Sequence, residues 1–247
     1  MPYSPYREKK NLFRERPWVF VFGGLLSSVA GFVNVVLLGI YHVPVSHMSG
    51  AVSRLAIDIT TANRADLRGA LAIFIGFLCG AILSGLIIGA TRIRPGRRYG
   101  ITMMLEGALL TTSAILLLYQ RRSGIPLAAM ACGLQNAMAS SYYGLIIRTT
   151  HVSGMVTDIG VLLGQLIRYG RLEVWKLLLL TVLLGGFFTG GLLGGLAFAK
   201  IGIPALFLAA ISCTTGGVCY YVWRRRHLHE FEIDRWGIPS AEELELL

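Results

Sequence analysis

The chain has 247 residues, 54% of them hydrophobic and 15% charged, with 30 glycines and a formal net charge of +10. A soluble domain carries about 25% charged residues, so a water-soluble monomer is a poor fit: too little polar surface is present to clothe so much apolar side chain. The basic residues fall in short clusters between long apolar runs, a pattern that suits membrane loops and not a nucleic-acid surface.

Taken in chain order, a basic N-terminus over residues 1–17, with Arg7, Lys9, Lys10, Arg14 and Arg16, precedes an apolar run from Trp18 to Ile40. That run is longer than the ~7–15 apolar residues of a cleaved signal peptide and has no small-residue cleavage site after it. It is expected to stay as a first span. Further runs follow at Ala70 to Thr91, Ile101 to Tyr119, Ile125 to Ile147, Leu177 to Ala199 and Ile203 to Trp223. Each comes close to or exceeds the roughly 20 residues that a helix needs to cross a bilayer. An isolated strand of the same composition would leave its backbone unpaired in lipid. The expected fold is an all-α integral membrane protein of six transmembrane helices, with three-span units at 18–119 and 125–223 and a tail at 224–247 in which Ser240-Ala-Glu-Glu243 forms a capping box.

With the N-terminus inside, seventeen of the 23 Lys and Arg residues lie in the inner segments. The positive-inside bias therefore predicts cytoplasmic N- and C-termini in the cell's inner membrane.

The two units resemble one another. Gly31-Phe-Val-Asn34 matches Gly133-Leu-Gln-Asn136, and His47-Met-Ser-Gly50 matches His151-Val-Ser-Gly154. Arg54 then aligns with Asp158, Gly76 and Gly80 with Gly186 and Gly190, Thr111-Thr112 with Thr214-Thr215, and Arg121-Arg122 with Arg224-Arg225. A repeat of three spans inserts its two copies in opposite orientations, as in many secondary transporters. Two inverted three-helix repeats are thus expected, each with a polar hairpin and short helix after its first span.

The first hairpin continues into a helical stretch from Ala51 to Ala62, with Arg54 and Asp58 at i and i+4. The second continues from Met155 to Arg168, with Thr157 and Asp158 early in the helix. Two readings stand. The hairpins re-enter the membrane and expose helix N-terminal amides to an anionic group, or they lie at the interface with Ser49 and Ser153 as N-caps.

Polar residues inside spans are costly and face the bundle interior. Asn34, Gln135 and Asn136, together with His47, Ser49, His151 and Ser153, are the candidate solute-binding residues; interhelical hydrogen bonding is the structural alternative for the amides. Glu106, Asp158, Arg54 and Asp58 are the candidates for ion coupling, with Arg97 or Arg98 as a structural partner for Glu106. Two histidines without clustered carboxylates or thiols are weak metal ligands. The small-residue series Gly186, Gly190, Gly194, and Gly76, Gly80 with Gly85, Gly89, predicts close helix packing, within one chain or between protomers. Cys79, Cys132, Cys213 and Cys219 lack metal or redox spacing and are expected as small buried apolar residues. No Walker motif, nucleophile elbow or H-E-x-x-H occurs, so neither an enzyme nor a bound cofactor is expected.

At Ala30-Gly-Phe-Val-Asn34, Ser46-His-Met-Ser-Gly50, Gly133-Leu-Gln-Asn-Ala137 and Arg148-Thr-Thr-His-Val-Ser-Gly-Met-Val-Thr-Asp158, the chain resembles the YoaK-like family of bacterial membrane proteins, a domain of unknown function. The resemblance runs from about Trp18 to Arg226. It departs at Asn34, where the family would have Asp, and at Ser49-Gly-Ala51, where it would have Thr-Gly-Asn. It implies a polytopic inner-membrane protein with no established substrate. The expected function is a small secondary transporter or permease for a small solute, working by alternating access; a membrane scaffold or a channel is the alternative. The lipid bilayer, the solute and a second copy of the chain are the expected partners, and nucleic acid is not.

Overall fold

A computed structural model describes residues 17–41, 45–61, 64–89, 96–140 and 149–226. Among these residues the chain is entirely helical, with α1 (Pro17–Tyr41), α2 (Met48–Thr60), α3 (Arg64–Ile88), α4 (Arg98–Leu118), α5 (Gly124–Ser140), α6 (Val152–Tyr169), α7 (Val174–Ile201) and α8 (Ala205–Arg226). The basic N-terminus, the Arg92–Arg94 end of the loop after α3 and the capping box at Ser240 lie outside the described residues.

Among the described residues five helices, α1, α3, α4, α7 and α8, are long and apolar enough to cross a membrane. The sixth expected span is described as α5 only through Ser140, and its remaining residues to Ile147 lie outside the described set. The outward faces carry large apolar side chains, such as Leu25 at 62%, Phe188 at 71% and Leu86 at 76% exposure. A bilayer solvates such faces and water does not. The chain is a multi-pass helical membrane protein.

The most extensive pairings are α1 with α7, α3 with α5, and α4 with α8. Glycine makes the first two possible. A Cβ on Gly31 would run into the Phe187 carbonyl, and one on Gly133 into the Phe77 carbonyl. Gly80 abuts the Met130 carbonyl and Gly190 that of Ser28, while Gly76 abuts Pro126 and Gly186 abuts Gly24. The residues that the sequence alignment equates thus meet equivalent partners. With Gly194 against Phe32, the glycines Gly76, Gly80, Gly186, Gly190 and Gly194 all pack within the chain, whereas Gly85 faces open space and Gly89 meets only the Arg98 side chain.

The short helices start three residues earlier than their hydrophobic pattern indicates. α2 begins after His47 and α6 after His151, so Ser49 and Ser153 sit inside the first turn and do not cap it. At α6 the cap is the imidazole itself: His151 Nδ1 accepts from the Gly154 amide at 3.0 Å. The helix ends at Gly170, whose φ of 62° is left-handed and favours a residue without Cβ. Of the cysteines, Cys132 and Cys213 are buried, whereas Cys79 and Cys219 are exposed. In a bundle bathed in lipid an apolar run does not by itself point inward.

Candidate functional site

Asn34 lies seven residues, or about 10 Å, before the end of α1. It is 6% exposed, and its Oδ1 accepts from the Ser46 hydroxyl at 2.6 Å. Ser46 is thereby held beside α1 just before α2 begins. In the second unit Asn136 of α5 does the same: its Oδ1 accepts from the Thr150 hydroxyl at 3.1 Å. Ser46 and Thr150 each immediately precede the histidine of their His-x-Ser-Gly motif, so one bond recurs at equivalent positions.

The second hairpin is also tied to the first unit. Ser27 Oγ, fully buried on α1, lies 3.0 Å from the Thr149 carbonyl and 2.7 Å from the Leu183 carbonyl of α7. Gln135 Nε2 donates to the Leu26 carbonyl at 2.9 Å, joining α5 to α1. Each of these polar side chains thus holds a backbone or hydroxyl partner at the place where the two units meet.

His47 of the first hairpin is half-buried and His151 of the second is exposed. Ser46 spends its one proton on Asn34, so across 3.0 Å it can only accept from His47 Nδ1–H. The neutral His47 ring is then left with an Nε2 lone pair. His151 Nδ1 is occupied as the α6 cap acceptor, so the neutral ring carries its proton on Nε2. One imidazole presents an acceptor and the other a donor. Burial, and then the neighbouring His151, hold His47 below its ordinary value of 6.5. Its ring also meets Phe187 edge-on, with centroids 5.9 Å apart. Among the described residues, no group of three or more His, Cys, Asp or Glu could hold a metal.

Glu106 is 2% exposed within α4. Its carboxyl is hydrogen-bonded to the Cys213 thiol of α8, and Oε2 has no partner. Among the described residues it has no ion pair with Arg97, Arg98 or any other cation. It neighbours Cys132 and Cys213, which belong to the core cluster that also contains Leu110 and Leu206.

Arg54 does not meet Asp158. It pairs with Asp58 at 3.1 Å and with Asp66 at the start of α3 at 2.8 Å, which ties α2 to α3. Asp58 is 1% exposed and Asp158 is exposed. Ser49 and Ser153 are exposed as well, outside the polar junction. The hydroxyls that do reach the asparagines, Ser46 and Thr150, stand one residue before each histidine. Their equivalent positions are the signal that finds them.

A family model described as protein of unknown function (DUF1275) matches residues 22–219. The chain belongs to this family. The matched region holds both asparagines, both histidines and Glu106, and is consistent with the resemblance to YoaK-like proteins. No curated protein and no solved structure matches the chain.

Proposed function

We propose that this protein is a secondary permease for a small solute, built from six spans in two inverted halves, with both termini in the cytoplasm and the bundle in the inner membrane. One observation carries the proposal. The charge bias assigns the two hairpins to opposite faces of the membrane, yet each bonds to the asparagine of its own half, and the second is also tied through the Thr149 carbonyl to Ser27 in the middle of α1. Both hairpins then dip toward the midplane, where irregular backbone is tolerated only inside protein or along a cavity. The exchanged pairing of α1 with α7 and α3 with α5, with α4 against α8, supports a two-fold axis in the membrane plane.

In this reading the solute meets amides, hydroxyls and imidazoles and no fixed charge, which suits a small neutral polar molecule. Asn34, Asn136, Gln135, His47 and His151 make the contacts, and each half rocks about the centre to open one face at a time. Glu106, a buried carboxyl with an unpartnered oxygen, carries the coupling proton. The scaffold reading needs free glycine faces, and Gly76, Gly80, Gly186, Gly190 and Gly194 are covered by helices of the same chain, which leaves Gly85 as the open position of the series.

The test is uptake by proteoliposomes across a panel of small polar solutes. Saturable flux that is lost in Asn136→Ala, with the variant still monodisperse, supports the proposal. Folded protein that moves none of the panel overturns it, and conductance without saturation assigns a channel instead.

A further inference from the structure

A cavity of about 680 Å³ opens where α3 and α5 begin, away from the histidine pair. Three arginines line it. Arg54 is held by Asp58 and Asp66, so its charge is balanced locally. Arg68 and Arg122 are exposed and have no carboxylate partner among the described residues. The rest of the wall is largely apolar, with Ala70, Ile73, Ile125 and Pro126 running from the arginines along the two helices toward the bundle. Arg68 and Arg122 stand in or next to the first turns of two spanning segments and thus at headgroup depth, with the apolar wall at acyl-chain depth.

We propose that this cavity is a binding site for the headgroup phosphate of an anionic phospholipid, with its acyl chains against the Ile73 and Ile125 wall. Two unpaired guanidiniums match a phosphate because each offers paired N–H donors in a planar fork. In the topology read from the charge bias this pocket faces the outer leaflet, and its guanidiniums meet a headgroup phosphate there by the same fork geometry. The site is independent of transport and rests only on the membrane placement of the helices.

The full chain is purified in mild detergent and titrated with phosphatidylglycerol and with phosphatidylcholine, reading bound lipid by native mass spectrometry. The expected result is a preference of about tenfold or more for phosphatidylglycerol, lost in the Arg68→Gln/Arg122→Gln double variant and kept in Lys200→Gln. Equal binding of the two lipids, or a preference that survives in the double variant, overturns the proposal. Displacement of phosphatidylglycerol by millimolar inorganic phosphate assigns the site to the free anion and overturns the lipid assignment. If the double variant does not fold, the salt dependence in the unsubstituted chain decides. A preference that weakens as salt rises supports the arginine site, and one unchanged by salt overturns it.

Discussion

The Ser46 hydroxyl donates to Asn34 Oδ1 at 2.6 Å, and the same bond recurs from Thr150 to Asn136 at 3.1 Å. A repeated bond between a mid-span amide and the residue before a histidine pins each hairpin to its own first span.

That relationship is measurable as two couplings. Double-mutant cycles of Asn34→Ala with Ser46→Ala, and of Asn136→Ala with Thr150→Ala, are expected to give interaction energies of about 0.5–1.5 kcal/mol each. Thermal unfolding in detergent checks this, and a coupling confined to one half argues against equivalent roles.

The glycine contacts predict a sharp contrast between packed and open positions on α3 and α7. Gly190→Ala and Gly80→Ala force a methyl into a facing carbonyl, at a cost of about 1–3 kcal/mol or more. Gly185→Ala meets nothing within 4 Å and gains helix propensity, so it is expected to be neutral or slightly stabilising. Melting temperatures of the three variants decide the matter.

Acid should loosen the junction through His47. Its native pKa lies below the ordinary 6.5, so the unfolded chain binds more protons as pH falls through 6.5. Stability from this group is intact above 6.5, declines as pH drops toward the native value, and levels off below it. His47→Gln is expected to flatten that part of a melting-temperature profile measured from pH 8 to pH 5. An unchanged slope counts against the histidine.

Glu106→Gln keeps the shape of the carboxyl and removes its ability to release a proton. In proteoliposomes it is expected to abolish accumulation driven by a pH gradient while leaving solute exchange without a gradient within about twofold. Loss of both activities in a folded variant assigns Glu106 to the architecture.

Much of this was legible in the sequence because lipid imposes simple rules. Continuous apolar runs have to be helices, and Gly76, Gly80, Gly186 and Gly190 announce close packing wherever they recur at i+4. Asn34 and Asn136 stand out because amides are costly in such runs. Ser46 and Thr150 are marked only by their matching positions before the two histidines, since a hydroxyl can satisfy its own helix and the fold alone tells whether it reaches another element. Nor could spacing reveal that Arg54 turns to Asp66 and not to Asp158, because that pairing depends on how α2 folds back onto α3. The Arg68 and Arg122 cavity joins residues from different units, which no local pattern connects.

Alternating access at the histidine pair is the central claim, and two-sided thiol accessibility at position 47 tests it most directly. In a chain with Cys79, Cys132, Cys213 and Cys219 replaced and shown to fold, His47→Cys is exposed to a membrane-impermeant thiol reagent from either side of sealed vesicles. The account predicts modification from both sides, slowed on both by the transported solute. A thiol reached from one side only, with or without solute, would contradict it.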